Sequence, residues 1–200
     1  MASKRFLSLT DLASWSAYQA KNLTKYVFTG KAALITTAII VLMFFLKINL
    51  KTLSVIFILG IAASFSTVYK RYIRIPSAIE LVTFCTVLTG IAYGPFVGAM
   101  FGAVTTLISE IISAAVDMNT FMYIISRSVI GVAAFYLQGI NIVVLGLISV
   151  AIFGIISTPI YLLQGDFEAK WRSAYFLTIN ALFNFLVFSL LGKAALSIIV

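Results

Sequence analysis

Glu80, Glu110 and Arg127 each stand inside or at the edge of a strongly apolar stretch. An ionisable side chain there is expensive in lipid, so it faces a protein interior or a wet cavity. Two carboxylates and a guanidinium can pair with one another or hold a polar solute. Joined by Asp117, the carboxylates could also supply acid–base or metal-binding oxygens. Hydroxyls and amides accompany them: Thr83, Asn119, Tyr123, Tyr161, Gln164, Asn180 and Asn184. Tyr123, Arg127 and Gly131 recur at i, i+4 and i+8, which puts them on one helix face with Asn119 in the same register. Asn180 and Asn184 lie one turn apart on another helix.

The chain that must position these groups is 62% hydrophobic and 10% charged, with mean hydropathy +1.12. A soluble core of this length needs a far more polar shell, so an integral membrane protein is expected. The net charge is +8, with basic residues near predicted helix ends, as suits anchoring at anionic headgroups. No basic stripe interleaves with exposed aromatics, so nucleic acid is not an expected partner. Cys85 is the only cysteine and histidine is absent. Disulfides, CxxC sites, His-based triads, HExxH zinc sites and His-ligated haem are thereby excluded, and no cofactor is called for.

The stretch 75–116 organises the rest. Two apolar runs meet at Gly94-Pro95, and glycine recurs at 90, 94, 98 and 102. In an apolar context that spacing lets two helix backbones approach closely, while Pro95 ends one helix and suits the first turn of the next. A tight helical hairpin is predicted. Glu80 and Thr83 share the face of Gly90 and Gly94; Gly98, Gly102, Thr105, Ser109 and Ser113 form a stripe with Glu110 at its margin. Both carboxylates fall at the open end of the hairpin.

Elsewhere, residues 1–31 read as an amphipathic helix in the membrane interface, and 32–46 as a short extra apolar helix. The core bundle occupies 53–199, within a membrane domain 32–200. Its predicted spans are 53–69, the two hairpin arms, 121–138, 142–163 (with Pro159 kinking or ending it) and 174–199, and 165–173 forms a charged interfacial segment. The expected fold is therefore all-α, a polytopic bundle of about six core spans of roughly 20 residues each. Alternation places the links 70–76, 117–120 and 165–172 on one membrane face, and the polar residues all lie within about three turns of them. One half of the bundle reads as wet and the other as dry, a pattern that suits a ligand pocket between helices. In the alternative arrangement, Arg127 pairs with Glu80 or Glu110 and the asparagines tie helices together.

The segments Ile75-Pro76-Ser77-Ala78-Ile79-Glu80-Leu81-Val82-Thr83-Phe84, Leu88-Thr89-Gly90, Tyr93-Gly94-Pro95, Gly98-Ala99 and Gly102, with Ile130-Gly131-Val132-Ala133-Ala134 further on, resemble the substrate-binding S components of energy-coupling-factor (ECF) vitamin transporters. The resemblance implies a six-helix bundle in the cell membrane that binds a small water-soluble compound at its outward half. Its implied partners are a membrane scaffold subunit and a pair of ATPases. It implies a pocket lined by Glu80, Thr83, Glu110, Asn119, Tyr123, Arg127, Tyr161, Gln164, Asn180 and Asn184, and a scaffold contact through Ala62 and Ser66. Positive-inside counting places the clusters Lys70/Arg71/Arg74 and Lys170/Arg172 in the cytoplasm, whereas the resemblance places them outside. Two other functions fit the residues: an enzyme acting on a lipid or isoprenoid with Glu80, Glu110 and Asp117, or a structural or assembly factor. Against the enzyme stand the lack of a DxxD-type cluster and of any histidine.

Overall fold

A computed structural model describes residues 49–72, 79–163 and 167–199. The expected N-terminal amphipathic helix and the short apolar helix at 32–46 lie outside the described residues. The fold is all-helical, with six helices among the described residues: α1 (Leu50–Phe65), α2 (Val82–Tyr93), α3 (Pro95–Ile112), α4 (Met118–Tyr136), α5 (Ile142–Leu163) and α6 (Phe167–Ile199). A 3-10 turn, Val68–Arg71, follows α1.

Among the described residues, four segments are long and apolar enough to cross a membrane: Leu50–Arg71, Pro95–Ile112, Ile142–Pro159 and Ser173–Ile199. The count is lower than the six expected. Helix α2 has 12 residues and reaches about 18 Å at 1.5 Å per residue, short of a ~30 Å hydrocarbon core. Helix α4 is long enough, but Asn119, Thr120, Ser126, Arg127 and Ser128 dilute its apolar content. Helix α5 keeps its expected bounds, whereas the start of α6 moves. Helix α5 runs through Pro159 to Leu163, so the proline does not end it. Helix α6 begins at Phe167 and absorbs most of the segment expected to lie in the interface.

The hairpin corner is built as its residues dictate. Gly94 has φ +96°, a conformation open to glycine but strained for an L side chain. It caps α2 through Gly94 N–H to Gly90 O (3.1 Å), and its own carbonyl accepts from Gly98 N–H (3.0 Å). Pro95 occupies the first turn of α3, where its missing N–H is no loss.

Helix α4 packs on α2, α3 and α5, and glycines set its approach to the hairpin. A Cβ at Gly98 would lie 2.6 Å from Gly90 Cα and 2.8 Å from Gly131 O. One at Gly131 would run into the Gly98 carbonyl, and one at Gly102 would lie 2.6 Å from Arg127 O. The backbones of α2, α3 and α4 therefore touch where side chains are absent. Helix α1 packs on α2 and α3, and α6 on α5 and α2. Between α2 and α6, Phe84 meets Phe188 edge to face, with ring centroids 5.0 Å apart.

Candidate functional site

The two ends of the hairpin are finished differently. At the end away from Gly94-Pro95, α3 closes in a Schellman motif: Ala115 N–H donates to Glu110 O (3.0 Å) and Ala114 N–H to Ile111 O (3.1 Å). This requires Ala114 to take φ +53°, the left-handed position glycine usually fills. The motif holds Glu110 in the last turn of α3. Asp117 then starts α4 with a capping box: its carboxylate accepts from Asn119 N–H (2.9 Å) and Thr120 N–H (3.0 Å), and Thr120 Oγ1 accepts from Asp117 N–H (2.9 Å). With that start fixed, Tyr123 and Arg127 take their phase on α4.

Helix α1 and the 3-10 turn contribute from the other side. Ser113 Oγ lies 2.9 Å from Thr67 Oγ1, 3.0 Å from Thr67 O and 2.7 Å from Ser109 O; its single proton serves one of them at a time. This junction anchors the 3-10 turn that carries Lys70. Two further bonds bracket Glu80. Tyr69 OH donates to Ile79 O (2.8 Å), and Leu81 N–H donates to Ser66 Oγ (3.0 Å). The residues on both sides of the carboxylate are thus tied to α1 and its 3-10 turn.

Glu80 is buried and forms an ion pair through Oε1 with Nη2 of Arg127. Lys70 Nζ stands 3.7 Å from Glu80 Oε2. Arg127 is 2% exposed, and its guanidinium carbon lies 4.6 Å from the centre of the Phe153 ring, a favourable cation–π position. Phe153 also contacts Tyr123, with centroids 5.3 Å apart, and Phe176 at 5.9 Å. These groups, with Glu110, Thr106, Ser109 and Val82, line one cavity. Its free space admits about one water molecule. Two of its groups are incompletely engaged. Arg127 Nη1 is buried without a hydrogen-bond partner, and Glu110, 5% exposed, has no ion-pair partner among the described residues. The charges acting on Glu110 are Lys70 and Asp117.

Of the residues singled out from the sequence, Glu80, Glu110, Tyr123 and Arg127 meet in this cavity. The remainder are placed elsewhere. Thr83 is buried on α2 with its hydroxyl unpartnered. Asn119 is half-exposed at the start of α4, where its side-chain N–H donates to Asp117 Oδ2 (2.9 Å). Asn180 and Asn184 are fully buried and engage each other along α6: the Asn184 side-chain N–H contacts Asn180 Oδ1 and donates to Asn180 O (2.9 Å). That leaves Asn180 Nδ2 and Asn184 Oδ1 unpartnered, and the asparagine pair bonds within one helix rather than between helices. Gln164 and the Tyr161 side chain lie outside the described residues. Ala62 is exposed on α1, while Ser66 is half-buried and turned inward to Leu81. Asp117 is an exposed helix cap, and no group of three or more acidic or cysteine side chains converges among the described residues.

Lys70, Phe153 and Phe176 are cavity residues that pattern reading did not select. Lys70 reads as one member of a basic cluster at a helix end, and the two phenylalanines as ordinary apolar filling. No protein-family model matches the chain, and neither a curated protein nor a solved structure matches it.

Proposed function

We propose that the chain is a multi-pass cell-membrane protein that binds a small polar solute, acting as the solute-binding subunit of an uptake transporter of the energy-coupling-factor type. In this reading α2 and α4 complete a six-span core with the four long apolar segments. The observation that carries it is the convergence of Lys70, Glu80, Glu110 and Arg127, from four successive segments, on one interior cavity. Four charges in the interior of an apolar bundle are costly to maintain for packing alone. A cavity with room for about one water is too small for a solute, so binding and release require the bundle to open and close. A scaffold subunit and a pair of ATPases would drive that exchange.

The test is native mass spectrometry of the protein purified from its host. A retained small polar molecule and co-purifying ATPase subunits are expected; a protein with neither would overturn the proposal. The Arg127–Glu80 pair also favours a second reading, in which the cluster only ties helices together as part of a structural or assembly factor. On that reading, replacing Arg127 or Asn184 changes stability and leaves every ligand response intact.

A further inference from the structure

We infer that the cavity's ligand is a small zwitterion, a molecule carrying both a carboxylate and an ammonium group on a short apolar body. The inference rests on the solute-binding reading and names its substrate class. Arg127 Nη1 and the Glu110 carboxylate define the ligand's ends. Arg127 lines the cavity, and its Nη1 is a buried, charged donor with no hydrogen-bond partner; an anionic acceptor is its strongest complement. Glu110 is a buried carboxylate lining the same cavity without an ion-pair partner among the described residues, and its complement is a cationic donor.

Charge balance points the same way. Lys70 and Arg127 cancel Glu80 and Glu110, so the formal charge of the cluster is zero. A ligand with a single net charge would leave that charge uncompensated inside the bundle, which a low-dielectric interior resists. A zwitterion adds none. Phe153, Phe176, Tyr123 and Val82 line the same cavity, a largely apolar surface that accepts an apolar side chain, beside the hydroxyls of Thr106 and Ser109.

The test uses the purified full chain in nanodiscs and matched probes read by equilibrium dialysis: L-phenylalanine, 2-phenylethylamine and 3-phenylpropionate, with the corresponding valine, alanine and tryptophan sets. At least one zwitterion should bind tenfold or more tighter than both of its singly charged analogues. Glu110→Gln keeps the side-chain shape and breaks no ion pair, so it should fold. It should weaken the zwitterion about tenfold and leave the carboxylate-only probe unchanged. Equal binding of a zwitterion and a singly charged analogue, or retention of a singly charged host molecule in native mass spectrometry, would overturn the inference and leave the solute-binding reading standing. Should no probe bind and no molecule be retained, both fall.

Discussion

The glycine junction and the charged cavity are two ends of one helical hairpin, about 18 Å apart along α3 at 1.5 Å rise per residue. At the junction, Gly90, Gly98 and Gly131 bring three backbones into contact with no side chain between them. At the cavity, α3, α4, the segment leading into α2 and the 3-10 turn send in Lys70, Glu80, Glu110 and Arg127. The first end is held by van der Waals contact, the main attraction between helices in lipid. The second is held by charge pairing, which is strong only when every partner is present. Gly102 links them, since its missing side chain lets α3 lie against the Arg127 carbonyl. Close packing at one end therefore sets the position of the guanidinium at the other.

Substitutions at the two ends separate these contributions. The largest loss is expected for Arg127→Met, which leaves Glu80 buried without its guanidinium partner. Breaking a buried pair in this way costs about 3–5 kcal/mol, measurable by denaturant unfolding in mixed micelles. A loss below about 1 kcal/mol would mean that Glu80 reaches water. Next comes Gly131→Ala, whose methyl would collide with the Gly98 backbone and should cost about 1–3 kcal/mol. Gly139→Ala serves as the control because open space surrounds that position. Equal effects at 131 and 139 would show that the junction is looser than described. The smallest change should be a gain. Ala114→Gly relieves a left-handed alanine and should stabilise by about 1 kcal/mol. Being beside Glu110, it also tests whether that strain matters for binding.

The dry end was legible in the sequence because spacing alone encodes it. Glycines at 90, 94, 98 and 102 specify a smooth face and a corner, and the structure has both. The bounds of α5, Ile142–Leu163, follow from a long, largely apolar run flanked by Asn141 and Gln164. The wet end was legible only in part. Periodicity assigns Tyr123 and Arg127 to one face of α4, but it cannot say which helix lies opposite. The pattern therefore allows Arg127 to pair with either Glu80 or Glu110, and tertiary packing selects Glu80. Asn119 shares the register of Tyr123 yet serves the helix cap, because an Asp two residues before it competes for its N–H groups. Lys70 enters the cavity through a 3-10 turn held by the Thr67–Ser113 junction, a contact across 46 residues that no local pattern announces. Ala114 gives no signal either, since alanine is an uncommon choice for that cap.

The central claim is that Arg127 and Glu80 meet inside the bundle instead of facing lipid separately, and a double-mutant cycle measures it. Unfolding free energies of the wild type, Arg127→Met, Glu80→Gln and the double variant give the coupling between the two side chains. A coupling of about 1.5 kcal/mol or more, with the double variant more stable than Arg127→Met alone, is the predicted result. Additive effects, with coupling within about 0.3–0.5 kcal/mol of zero, would contradict it.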